Sequence, residues 1–123
     1  MIAKSGGIAI TTVDDFANMI LNRRAATSTK PIQLVFFSAP WCGPCRLTVP
    51  VVKDIMKQYQ SQIDVYELST DDLPEVAEKC NVKSIPTIQL YHDGKIEDTI
   101  VGCVAKSVLA SSVAMLLEEV VPS

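Results

Sequence analysis

Residues 32–45 constrain this chain more than any other stretch. Residues 32–37, Ile-Gln-Leu-Val-Phe-Phe, form a nearly uninterrupted apolar run, as expected of a central strand covered on both faces. Just beyond it, Trp41-Cys-Gly-Pro-Cys45 leads into a helix-like stretch. A Cys-x-x-Cys pair beside a βαβ pattern reads as a redox motif. Two thiols at this spacing can close a small ring, so Cys42 and Cys45 can shuttle between dithiol and disulfide.

The remaining chain is ordinary enough to exclude other classes. At 123 residues it is long enough to bury a core and is expected to be one domain, 1–123. A net charge of −3, with 48% hydrophobic and 20% charged residues, argues against a nucleic-acid footprint, which would be basic. No apolar run approaches the ~20 residues of a membrane helix. Residues 1–7 lack the apolar stretch of a signal peptide, so a reducing compartment is expected. Of the four cysteines, Cys80 and Cys103 stand alone. A zinc site competes with the redox reading, since cysteine ligands often come as Cys-x-x-Cys pairs. A second such pair is missing, and the lone His92 sits in a turn-like His-Asp-Gly. No metal is expected.

Periodicity supplies the order of elements. Residues 8–10 read as a short strand. Thr12-Val-Asp-Asp15 resembles a capping box with Asp15 in the usual place of Glu. Phe16 and Ile20, with Ala17 and Leu21, repeat at i, i+4, and predict a helix running to about Ala26. A helix is expected from Cys42 to about Tyr59, with a bend at Pro50. Residues 63–68 form the next strand. A helix starts at Asp72-Leu-Pro-Glu75 and ends near Asn81. Strands at 87–91 and 96–101 flank Asp93-Gly94, a hairpin signal. A closing helix over 105–120 puts Leu109, Val113, Leu116 and Val120 on one face. The order βαβαβαββα implies an α/β fold, a mixed sheet with helices on both faces.

The chemistry follows from position. The thiolate is the nucleophile in disulfide exchange. A free thiol with a pKa of ~8.5 is only a few per cent ionised at neutral pH. Making it half ionised takes ~2 kcal/mol of preferential anion stabilisation. Cys42 sits at a helix start, where unpaired N–H groups and the dipole supply much of that. Cys42 is thus expected to attack a substrate disulfide, and the shielded Cys45 to resolve the mixed disulfide. Gly43 allows a tight entry into the helix, and Pro44 fixes φ where a missing N–H costs little. Trp41 is either a flat apolar wall beside the thiol or ordinary packing. Pro86, read from the residues alone, is a proline at a strand start.

The chain resembles the thioredoxin family over essentially its whole length. Ser38-Ala-Pro-Trp-Cys-Gly-Pro-Cys45 matches the family's active-site segment, except that Ser38 stands where an aromatic is usual. Ser84-Ile-Pro-Thr87 matches the loop with the family's cis-proline, and Val101-Gly102 matches the glycine loop before the last helix. The resemblance implies a thioredoxin fold and a protein-disulfide reductase needing no bound cofactor. It also implies a cis Ile85–Pro86 bond packed against the cysteines, beside which an extended target segment pairs in strand-like fashion. Electrons would come from a thioredoxin reductase, flavin-dependent or ferredoxin-linked. Partners would be disulfide-containing target proteins and that reductase, with no nucleic acid or membrane. A monomer is expected, in the cytoplasm or in another reducing compartment such as the plastid stroma. The family's oxidising members usually carry His between the cysteines, so Gly43-Pro44 argues for reduction over oxidation or isomerisation. A thioredoxin-fold binding module with weak redox activity is the alternative.

Two departures from the family stand out. Phe36 occupies the place of a buried Asp usually assigned as proton acceptor for the inner cysteine. Glu67 stands where the family often has Lys. Ile63, Val65 and Glu67 alternate on one strand face, so Glu67 points with two apolar residues. It is either a relocated carboxylate base or a strand-end Glu reaching solvent. Cys80 reads as a small buried hydrophobe. Cys103 follows Gly102, in the loop that the resemblance places beside the substrate groove. It is either packed or open to modification.

Overall fold

The apolar run becomes β2 (Ile32–Ser38), and all seven of its residues are buried. It lies between β3 (Ile63–Ser69), parallel to it, and β4 (Thr87–His92), antiparallel to it. β1 (Ile8–Ile10) runs parallel to the outer side of β3, and β5 (Lys95–Val101) pairs antiparallel with β4. The five-stranded sheet therefore has the order β1-β3-β2-β4-β5. The computed structural model describes residues 2–121. Positions 1, 122 and 123 of the expected domain, and the first residue of the segment read for a leader, lie outside the described residues.

Side-chain alternation along the strands divides the core in two. Ile32, Leu34 and Phe36 of β2 and Ile63 and Val65 of β3 face one way. They meet Val52 and Ile55 of α2 (Gly43–Gln58) and Leu109, Val113 and Leu116 of α4 (Lys106–Val120). Val120, the fourth residue of the expected α4 face, packs partly buried against the same cluster. Val35 and Phe37 face the other way, onto Phe16 of α1 (Val13–Phe16) and Val76 of α3 (Pro74–Lys79). Helices cover both faces of a mixed sheet, as the element order implies. α2 spans Pro50 as one helix.

The first helix departs from expectation. It ends at Leu21, not near Ala26, and its second half, Ala17–Leu21, is π-helical. Thr12 caps it as expected, its hydroxyl accepting the Asp15 N–H at 3.0 Å. At the far end the Asn22 N–H reaches back five residues to the Ala17 carbonyl, 2.7 Å away. The Arg23 guanidinium donates to the Met19 carbonyl and, at 3.0 Å, to the Ser28 carbonyl. A side chain thus takes the carbonyl that another turn of helix would have used, and the helix stops.

The hairpin between β4 and β5 also locks onto this helix end. Asp93 and Gly94 both have positive φ, 51° and 79°, as a two-residue type I′ turn demands. A Cβ at Gly94 would overlap the Leu21 carbonyl. Gly94→Ala combines a left-handed φ with a backbone clash and should destabilise by at least ~1 kcal/mol. The check is the urea midpoint, and an unchanged midpoint would mean that the hairpin swings free of the helix.

Candidate active site

The site sits where β2 ends and α2 begins, at the carboxyl edge of the parallel strands, where α/β sheets gather their sites. Ala39 and Pro40 turn the chain, and the Cys42 N–H closes that turn on the Ala39 carbonyl at 3.1 Å. Cys42 is the N-cap of α2, with extended φ and ψ of −82° and 104°. Its sulfur accepts the Cys45 N–H at 3.2 Å. The two cysteines are joined as a disulfide, with Cα atoms 5.3 Å apart. Each is only 3% exposed, so shielding alone does not separate them. Their helix positions do: one sulfur caps the helix, and the other lies a turn inside.

The surrounding residues divide into a rim and a floor. Trp41 is 68% exposed, which rules out ordinary core packing. Its indole N–H donates to the Asp71 carboxylate at 2.8 Å, which ties the exposed ring to the turn after β3. With Thr70, Val82, Lys83, Ser84 and Ile85 it lines a groove of about 390 Å³. The Ile85–Pro86 bond is cis. Pro86 is buried, and its carbonyl accepts the Gly102 N–H at 2.8 Å. Gly102 has φ +88°, which explains glycine there. Neither the N–H nor the carbonyl of Ile85 has a backbone partner among the described residues. At Gly43, by contrast, a Cβ would meet nothing within 4 Å and φ is not left-handed, so the helix entry does not itself require glycine. The bare backbone leaves the surface beside Cys42 flat.

Phe36 is fully buried and packs in one cluster with both cysteines. Glu67 pairs in register with it on the neighbouring strand. Glu67 is partly buried, and its Oε1 is buried without a hydrogen-bond partner among the described residues. Only Oε1 is buried in this way, and the residue keeps the partial exposure of a strand-end Glu. Sequence reasoning missed Ser69, whose hydroxyl is likewise buried and unpartnered. The alternation that picked out Glu67 extends two residues further to Ser69, and was the available signal. Asp71 was missed as well, because nothing local ties it to Trp41, 30 residues away.

The spare thiols separate cleanly. Cys80 is buried and accepts the Tyr91 hydroxyl at 3.2 Å. Burial pushes its pKa up, against a smaller lowering by that hydrogen bond. Cys103 is exposed, and its thiol lies 3.5 Å from the Pro44 carbonyl, beside the active-site turn. Among the described residues, no group of three or more His, Cys, Asp or Glu is placed to hold a metal ion. With limiting iodoacetamide at pH 8, Cys103 should be carbamidomethylated well before Cys80 in the oxidised native protein. Peptide mapping that finds Cys80 labelled first would contradict this placement.

The sequence pattern of the Thioredoxin family matches residues 7–115. The chain belongs to the thioredoxin family. It is 48% identical over 79 residues to thioredoxin 1 of Synechococcus elongatus, covering 64% of this chain and 74% of that one. It is 38% identical over 109 residues to the chloroplastic M-type thioredoxin of Spinacia oleracea, covering 89% of this chain and 60% of that one. Its fold is similar to a chain from a structural study of the thiol resolving mechanism in yeast mitochondrial 1-Cys peroxiredoxin via glutathione/thioredoxin systems. That likeness has a TM-score of 0.77 at 22% identity over 92% of this chain and 98% of the other. The mixed sheet with helices on both faces is a thioredoxin fold. The chain is a thiol–disulfide oxidoreductase, a disulfide reductase acting through its close cysteine pair. Thioredoxins need no bound cofactor, and the family works between disulfide targets and a reductase. Among the described residues, no helix is long and apolar enough to cross a membrane.

Proposed function

We propose that this single domain reduces protein disulfides, with Cys42 attacking and Cys45 resolving. The carrying observation is the Cys45 N–H held on the Cys42 sulfur at the N-cap of α2. A hydrogen bond to a charged group contributes ~1.5–3 kcal/mol, and a helix N-terminus adds ~0.3–1 kcal/mol. The bond is made here to the disulfide sulfur, and the same N–H is placed to meet the Cys42 thiolate once the pair is reduced. The Cys42 thiolate attacks one sulfur of the target disulfide, and the other leaves as a thiolate that takes a proton from solvent. Cys45 then attacks Cys42, closing the intramolecular disulfide and releasing the second target sulfur. The target gains two electrons and the cysteine pair loses two.

The target enters as an extended segment between Trp41 and the Pro86 loop. The unpaired backbone of Ile85 supports strand-like docking there, while Trp41, Ile85 and Gly102 form its rim and Pro44 holds the turn. The protein works as a monomer and takes its electrons from an external thioredoxin reductase. The chloroplastic names of several relatives support a plastid stroma and a ferredoxin-linked reductase over the cytoplasm and a flavin enzyme. Insulin reduction separates the two sources. Turnover is expected with reduced ferredoxin and its thioredoxin reductase. Turnover only with NADPH and the flavin enzyme would reverse the electron source, and none with either would overturn the reading.

A further inference from the structure

Behind the disulfide lies a second cavity, of about 370 Å³, whose wall includes Phe36, Cys42, Cys45, Glu67 and Ser69. It shares no lining residue with the groove beside Trp41. Glu67 and Ser69 lie on the β3 face that carries Ile63 and Val65, and they stand opposite Phe36 and Ser38 in register. Both present buried polar atoms with no hydrogen-bond partner among the described residues. An unpartnered buried polar atom is costly to keep. Two of them stand on one wall, next to a cysteine pair. The cavity is roomy enough for water, which occupies about 30 Å³ in the liquid. The other charged side chains on its wall are Lys4 from the N-terminal segment, Arg46 from α2 and Asp72 from the turn after β3, all exposed. Glu67 is thus the carboxylate of this wall that has a buried oxygen with no partner among the described residues.

We propose that Glu67 is the general base for Cys45, with Ser69 fixing the relay through the cavity. This rests on the attacking and resolving roles assigned above. In the mixed disulfide, Cys42 is bonded to the target sulfur and Cys45 is a thiol. The Cys45 proton passes to the Glu67 carboxylate, directly or through one water that the Ser69 hydroxyl orients. The Cys45 sulfur then bonds to the Cys42 sulfur, and the bond from Cys42 to the target breaks. The target leaves as a thiolate and is protonated by solvent. Glu67 returns its proton through the open mouth of the cavity.

The test is acid-quenched rapid mixing of the reduced protein with a peptide carrying one disulfide. Mass spectrometry separates reduced protein, mixed disulfide and closed disulfide at each time. Glu67→Gln should leave the appearance of the mixed disulfide unchanged. Its decay to the closed form should slow about a hundredfold at neutral pH, the lower end of what general-base catalysis supplies. The deficit should shrink as pH rises past ~8.5, because a thiol that ionises unaided needs no base. A fold defect would not be repaired in that way. Ser69→Ala should show the same pattern more weakly. Unchanged resolution in Glu67→Gln, slowing by the same factor at every pH, or equal slowing of the attack would each overturn the proposal. Trapping by Cys45→Ser tests the cysteine roles separately, so a failure here removes the base and leaves those roles intact.

Discussion

Cys42→Ser should abolish reduction of protein disulfides, while Cys45→Ser should still attack and then stall. The difference comes from where the two sulfurs sit on α2. The Cys42 sulfur caps the helix and receives the Cys45 N–H at 3.2 Å. A serine there keeps the cap but offers a hydroxyl that does not ionise near neutral pH, so no nucleophile remains. With serine at 45, the Cys42 thiolate attacks as before, and the bond it makes to the target has no internal thiol to break it. Non-reducing gels of Cys45→Ser mixed with disulfide-bearing proteins should show covalent adducts that dithiothreitol releases. Adducts from Cys42→Ser and none from Cys45→Ser would reverse the assignment.

The second large effect concerns stability. Phe37 is fully buried on the sheet face opposite the active site, clustered with Phe16, Tyr91 and Val76. It lies on the central strand, paired on both sides, so its surroundings have little room to collapse into a cavity. Phe37→Ala should cost about 3–5 kcal/mol. That is a large share of the ~5–15 kcal/mol by which a domain is stable. Urea denaturation followed by far-ultraviolet circular dichroism measures it. A loss under about 1 kcal/mol, well below the range for such truncations, would mean that the second core repacks freely.

Much of this was legible along the chain, and the reasons are local. The apolar run at 32–37 could only be a doubly covered strand. The hairpin at Asp93-Gly94 announced itself because two positive φ values need those residue types. The cysteine pair carried its own chemistry. What escaped depends on contacts between distant segments. The stop at Leu21 follows from Arg23 reaching two carbonyls, an outcome that i, i+4 spacing does not encode. Glu67 was visible as an odd residue on an apolar face, but its pairing with Phe36 needed the β2–β3 register. Ser69 drew no notice, since a serine at a strand end is ordinary until its hydroxyl proves buried. The equal burial of the two cysteines was also out of reach, because neighbours from several elements cover them.

The place of β2 in the middle of the sheet sets an order of events during synthesis. Its partners follow it in sequence: β3 begins at Ile63 and β4 at Thr87. A ribosome that has just released α2 has therefore delivered both active-site thiols, but neither neighbour of the strand that positions them. The Pro86 loop, which shapes the target groove, emerges later still. A growing chain carries its reactive sulfurs for tens of residues before it carries the surface that chooses their targets. During that interval the surface that would select targets has not yet been made, and the thiol–disulfide poise of the surroundings acts on the dithiol directly.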